Sequence, residues 1–414
     1  MSKETAVKKY FGEDIIQWLI VFFCVLTFAG FVTSRALASI GLIGLIAIPL
    51  VTENIVSVFK RYYLRKDLLV LSVFFWIVFL SGIYSDDTTD WLNWVRIKLP
   101  YLFLPIAFAS VKRLEQKKFI VLLYGFILVF FISTACVILH YAIHYAAINN
   151  SIFSGSSIPM PFSHIRFTLM LAFSFFCCVY LFQKQLFLFS PLEKWLQVFI
   201  LSFAFVSLHV LSVRSGLLAL YLGVFFLLLL YVFVRKKYIT GLLLFALLAS
   251  LPFVAYKLVP SLQNKLTFMQ YDLRGLQDGE INYRYDVMRL SSMKVGLEVW
   301  KENKLLGVGA GDLKQAMDKT YEQLLPQLKP ENRLMPHNQL VWVLASLGAV
   351  GFTLFLFAFL FPLFYQKNYR HWLLVVLHLI MFSSFLTEAT LEEQIGTGFY
   401  ITFLLVLINQ FRHE

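Results

Sequence analysis

Long apolar runs alternate with short polar segments along almost the whole chain. A helix needs roughly 17–25 apolar residues to cross a bilayer. About twelve runs approach that length by hydropathy, near 15–33, 36–52, 68–84, 99–111, 119–143, 165–183, 196–212, 216–234, 240–256, 338–362, 371–387 and 396–411. The run at 99–111 is the weakest. It is short, carries Pro100 and Pro105, and is expected to be tilted, broken or extended upstream. One polar stretch, 257–336, interrupts the series. From Asp286 to Trp300 it has helical periodicity, with Val287, Leu290, Val295, Leu297 and Val299 interleaved with Arg289, Lys294 and Glu298. That pattern predicts an amphipathic helix lying on the membrane face or capping the bundle. A turn follows at Gly307-Val308-Gly309-Ala310-Gly311. The expected class is an all-α polytopic membrane protein with about twelve transmembrane helices. Its divisions are spans one to nine at 1–256, a long external loop at 257–336, and spans ten to twelve at 337–414.

Composition strengthens this reading. The chain is 59% hydrophobic and 14% charged, against roughly 25% charged in soluble proteins. Mean hydropathy is +0.73. Too little polar surface exists to cover a water-facing globule, so lipid takes that role. The net charge of +12 could suggest nucleic acid in a soluble protein. Here the basic residues flank apolar runs, and no nucleic-acid partner is expected. With the N-terminus inside, the inside segments collect Lys3, Lys8 and Lys9, then Lys60, Arg61, Arg65 and Lys66, then Lys112, Arg113, Lys117 and Lys118, then Arg235, Lys236 and Lys237. The short outside segments hold only Arg35, Arg96, Lys98, Arg166 and Arg214. Losing one span would reverse every later loop and spoil this bias. Both termini are therefore expected on the inside. The first apolar run reads as an uncleaved span, since it exceeds a signal-peptide core. Cys24, Cys136, Cys177 and Cys178 all lie in apolar runs and read as small core residues.

Polar chemistry gathers at the outside ends of the spans. Ser212-Val213-Arg214-Ser215-Gly216 forms a hairpin between two apolar runs. An arginine there needs an anion or carbonyl partner, and its guanidinium suits bidentate contact with phosphate. Met335-Pro336-His337-Asn338 opens span ten. His337 could act as a general base near neutral pH, and Asn338 could orient it or cap the helix. His164 and Arg166 at the start of span six could add polar groups. Arg289 on the amphipathic helix is by itself an ordinary solvated charge. Glu388, Glu392 and Glu393 read as partners for the arginines or as solvated groups. No Walker-type phosphate loop, HExxH or external DxD motif occurs, and no metal or cofactor is expected. Arginines without a metal point to a pyrophosphate handled by side chains alone.

Four segments together resemble the O-antigen ligase and polymerase superfamily of bacterial envelope enzymes. They are Ser212-Val213-Arg214-Ser215-Gly216-Leu217-Leu218-Ala219-Leu220, then Arg289-Leu290 with Leu305-Leu306-Gly307-Val308-Gly309, then His337-Asn338-Gln339-Leu340 with Leu347-Gly348-Ala349-Val350-Gly351, and the long external loop between the last two. The likeness covers about 165–365, while the N-terminal third matches only in hydropathy. Leu340-Val341 departs from the aromatic often found there. The resemblance implies a GT-C-type, metal-independent, inverting glycosyltransferase of the bacterial inner membrane. Its donor would be a glycan on undecaprenyl pyrophosphate, and its acceptor a lipid A-core sugar on the periplasmic face. Arg214 and Arg289 would bind the pyrophosphate and His337 would activate the acceptor. Arg166, His164, Asn338 and Ser212 would line the substrate site. A polymerase joining lipid-linked repeat units is the alternative within the superfamily. A twelve-span transporter or flippase is the alternative of another class. Mid-span segments nearly free of charge disfavour transport.

Overall fold

In the computed structural model, residues 12–153, 155–277 and 285–412 are described. The topology-setting residues Lys3, Lys8 and Lys9 lie outside them. Every element among the described residues is helical. Ten helices are long and apolar enough to cross a membrane, and the protein is a multi-pass membrane protein. Two expected spans do not meet that measure. The weak fourth run belongs to a longer helix, Thr88–Phe108, whose first half carries Asp90, Arg96 and Lys98. The eleventh is an apolar helix of 14 residues, Trp372–Phe385.

The chain divides into two compact units. The first comprises Met1–Leu122, Met288–Leu374 and Phe385–Glu414. Its helices include α1 (Glu13–Thr33), α2 (Arg35–Thr52), α3 (Ile55–Leu64), α4 (Lys66–Leu71), α5 (Val73–Leu80) and α6 (Thr88–Phe108). The helix at its centre is the last, Gln394–Phe411, buried along nearly all its length. Phe403 stacks on Phe28 of α1 with ring centroids 4.8 Å apart. An ion pair stands beside each end of this central helix. At its C-terminal end Arg65 pairs with Asp67 at 2.6 Å and donates to Asn409 at 2.9 Å. Just before its N-terminus Glu392 pairs with Lys98 of α6 at 2.8 Å. Residues 393 and 409 are roughly 24 Å apart along a helix axis.

The second unit comprises Leu123–Val287 and Val375–Ser384. It takes in most of α7 (Gln116–Ile143), then α8 (Tyr145–Phe153), α9 (His164–Gln183), α10 (Glu193–Leu211), α11 (Arg214–Arg235), α12 (Tyr238–Leu258) and α13 (Pro260–Gln277). Its core is aromatic, with Phe126, Phe130, Phe167 and Phe173 in ring contact between α7 and α9. Cys177 and Cys178 are buried in α9, and Cys24 is buried in the first unit. Cys136, expected in the core, is instead exposed on α7. A lone apolar run does not reveal which of its faces meets lipid.

The polar stretch is itself largely helical, as α13, α14 (Tyr285–Glu302) and α15 (Leu313–Leu324). The expected amphipathic helix forms, but its buried stripe is Val287, Ser292, Val295 and Val299. Leu290 and Leu297 are exposed. Ser292 lies in the buried stripe, where its hydroxyl bonds the Arg289 carbonyl and the His337 amide. The glycine turn then meets α16 (Gln339–Phe364). That span is broken at Gly348, where φ is 64° and ψ −170°. Backbone from the turn satisfies the broken helix. Val308 and Gly309 donate to Ala345 and Ser346 at 3.1 and 2.8 Å, while Ala349 and Val350 donate to Lys304 and Leu305 at 2.8 and 3.1 Å. A side chain at Gly348 would collide with the backbone of Leu305 and Gly307. Gly348→Ala is therefore expected to cost at least roughly 1–3 kcal/mol from the backbone conformation alone. Thermal unfolding in detergent measures this, with the exposed Val350→Ala on the same helix as the near-neutral control.

Candidate active site

In the first unit the site is built around the start of α16. Asn338 has extended backbone and caps the helix, accepting from the amides of Leu340 and Val341 at 2.9 and 3.0 Å. Its side-chain amide donates to the carbonyl of Leu386 at 3.3 Å. Asn338 therefore acts as a cap that also grips the 386–392 segment. The residue before it, His337, donates its backbone amide to the Ser292 hydroxyl at 3.2 Å. That hydroxyl donates in turn to the carbonyl of Arg289 at 2.7 Å. Gly296 lies directly against Pro336 and Val341. Arg289, Ser292 and Gly296 form one stripe of α14 by helical spacing, and this stripe faces the His337 turn. Arg289 and Ser292 are separated by roughly 4.5 Å along the axis. The structure thus brings the Arg289 turn to the His337 turn, two segments that sequence reasoning joined only by family likeness.

Behind this turn lies a polar network. Gln339 is fully buried. Its oxygen accepts from the Leu391 amide at 2.8 Å, and its nitrogen donates to Glu392 at 2.6 Å. Glu392 also pairs with Lys98 at 2.8 Å, and Lys98 donates to the Leu391 carbonyl. Lys98 has no exposed side-chain surface. Its ammonium sits 4.7 Å from the Phe74 ring and 5.7 Å from that of Trp342, positions that favour a cation. Glu392 is thus neither solvated nor paired with an arginine, as its place in a short acidic loop had suggested. The approach to His337 is held from α15. Tyr321 donates to the carbonyl of Leu334 at 3.0 Å, and Arg333 pairs with Glu322 at 3.1 Å. Burial pushes the Tyr321 hydroxyl up to about 12, so it remains a donor at neutral pH.

The second unit holds the other candidates. Ser212 ends α10 in the left-handed region, with φ 54° and ψ 33°. Its hydroxyl donates to the His209 carbonyl at 2.7 Å and lies 3.0 Å from that of Ser261, which donates to Val210 at 2.6 Å. Ser212 is buried and shapes the hairpin. Arg214 opens α11 with its side chain exposed, and Nη1 lies 3.3 Å from Met269 Sδ. His164 opens α9, and Arg166 is buried within its first turn. Gly216 lies against Thr168, so α9 and α11 begin side by side. Arg166 and Arg214 each stand two residues before that contact. Two helix N-termini, each with an arginine in its first turn, therefore lie at one end of this unit. That combination suits a phosphate-bearing anion.

Lys98, Ser292, Gln339 and Glu392 were missed as contributors. Lys98 was counted among loop charges, although a lysine followed at once by an apolar run needs a buried counterion if it is helical. That was the one signal that could have found the pair.

Residues 197–356 match the family model described as O-antigen ligase. This stretch, less than half the chain, takes in Ser212, Arg214, Arg289, His337, Asn338 and the Gly307 and Gly348 stitch. His164 and Arg166 lie before it. No curated protein matches the chain. Asn338→Ala is expected to lower stability by about 1 kcal/mol from the lost cap alone. Asn338→Asp, which keeps the acceptor, should recover most of that loss, as read by thermal unfolding in detergent.

Proposed function

From the match of residues 197–356 to the O-antigen ligase family model, we propose that the protein transfers a glycan from undecaprenyl pyrophosphate to a lipid A-core sugar. The observation that carries the reading lies within this stretch: the Ser292 hydroxyl ties the Arg289 turn to the amide of His337. A cation and a proton acceptor thereby stand on adjoining turns of one compact unit. In the proposed reaction the His337 imidazole takes the proton of the acceptor hydroxyl. The acceptor oxygen attacks the anomeric carbon of the donor glycan from the face opposite the pyrophosphate. The bond from that carbon to the pyrophosphate oxygen breaks, and configuration inverts. Undecaprenyl pyrophosphate leaves with the bonding electron pair, and Arg214 and Arg289 stabilise the charge that develops on it. No metal is required, since the guanidiniums carry the compensating charge.

The fold is a GT-C-type arrangement in the bacterial inner membrane. Both termini are cytoplasmic and the reacting groups face the periplasm, as the distribution of basic residues supports. His164, Arg166, Asn338 and Ser212 supply or shape the donor site.

The test is transfer from a purified undecaprenyl-pyrophosphate glycan to a lipid A-core acceptor in the presence of EDTA. Wild type is expected to form the conjugate. His337→Ala is expected to lose roughly 10²–10⁴-fold in kcat, and Arg214→Ala roughly 10²–10³-fold. Both variants should retain the wild-type elution profile in detergent. A lengthened donor glycan in place of the conjugate would make the enzyme a polymerase. No product from either acceptor would remove the transferase reading and turn attention to transport of the lipid-linked glycan.

A further inference from the structure

We propose that Lys98 is a positioning residue for this reaction, acting through Glu392 and Gln339 to hold the His337–Asn338 turn. The inference rests on the proposed transfer, and it adds a residue that lies outside the 197–356 match.

The argument begins with an oddity of burial. An ammonium buried within a membrane protein is costly and normally reaches for the interface. Lys98 does not. It is wholly enclosed, roofed by Phe74 and Trp342, and given two acceptors, the Glu392 carboxylate and the Leu391 carbonyl. Trp94, one turn earlier on the same helix, packs edge-on against Trp342 with centroids 5.1 Å apart. Both acceptors of Lys98 belong to the segment that grips Gln339. The Leu391 amide and the Glu392 carboxylate engage the two ends of its side-chain amide. Gln339 is the first residue of α16, directly after Asn338 and two after His337. Leu391 and Glu392 thus link the lysine to the start of the helix.

A stability role alone explains this poorly. A buried ion pair is weak evidence for stability, because desolvation of both charges offsets their attraction. What such a pair supplies is a fixed direction. Lys98 can satisfy its charge only with the 391–392 backbone in one place, and that backbone can accept Gln339 only with α16 starting at one point. A base must come within about 3–3.5 Å of its target, so a small drift of this turn has a large effect on rate.

The experiment uses the full-length protein in detergent and three readouts. These are kcat and KM for the lipid-linked donor, thermal unfolding, and hydrogen exchange of the first-turn amides of α16. Lys98→Met alone would leave Glu392 buried without its counterion and is expected to fold badly. The test pair is therefore K98M/E392Q, which removes both charges and keeps an oxygen for the Gln339 amide, and Gln339→Met, which leaves the ion pair intact. Both are expected to stay folded and to exchange the Leu340 and Val341 amides faster. KM should be unchanged, with kcat lower on the order of 10- to 100-fold. Wild-type kcat in either folded variant would overturn the proposal. So would a lower kcat with unchanged exchange, since Lys98 would then act by another route. If K98M/E392Q does not fold, Gln339→Met decides alone. If the wild-type protein transfers no glycan, the functional reading fails. Exchange then judges the link from Lys98 to the helix start by itself, and unchanged exchange in both variants overturns it.

Discussion

Hydrocarbon offers no hydrogen bonds, so a helix can break at membrane depth only where protein supplies them. The backbone of Lys304–Gly309 does so for α16 at Gly348. Much of the first unit depends on that repair. It fixes the end of α14 to α16 and lets the first nine residues of α16 stand as a short, separate half-helix. The same turn is held on its other side as well. Tyr84 donates to the Leu306 carbonyl at 2.9 Å, and the amides of Asp86 and Asp87 donate to the Asp312 carboxylate at 2.8–3.0 Å. The polar stretch is thus fastened to the unit at a seam of backbone contacts. Side chains at Gly307 or Gly348 would force that seam apart.

The half-helix carries its polar work at its first residues. His337 is held by its own amide, Asn338 by a cap and a carbonyl, and Gln339 by an amide and a carboxylate. Three consecutive residues therefore bond to three different segments: α14, the end of α17 (Trp372–Phe385), and the approach to α18 (Gln394–Phe411). A turn held from three directions has little freedom to reorient. This is the condition a general base needs when its partner hydroxyl arrives on a large, mobile glycan.

Hydropathy made the membrane class and most of the spans legible, because a bilayer imposes a minimum apolar length that composition cannot disguise. The same signal drew a full span at 371–387 where the helix Trp372–Phe385 has only 14 residues, and it gave the upstream extension of the 99–111 run without its polar extent. Periodicity found α14 and three residues of its buried stripe, Val287, Val295 and Val299. It did not find Ser292, whose value lies in hydrogen bonds that hydropathy does not see. Arg289 and His337 were visible as residue types, and their meeting through Ser292 was not. The capping role of Asn338 was legible, since asparagine before an apolar helix is a common cap. The Lys98–Glu392 pair was hidden by distance along the chain, and each member looked like a loop charge on its own.

That distance has a consequence for how the protein is made. Lys98 and Glu392 are separated by 294 positions, while the Gly307–Gly348 seam joins residues only a few dozen apart. The seam can close soon after α16 leaves the ribosome. Lys98 is translated long before Glu392. Over that interval the helix that carries it must hold an ammonium without this counterion. Its withdrawal into the core is therefore a late step of assembly, one that waits on the segment bearing Glu392.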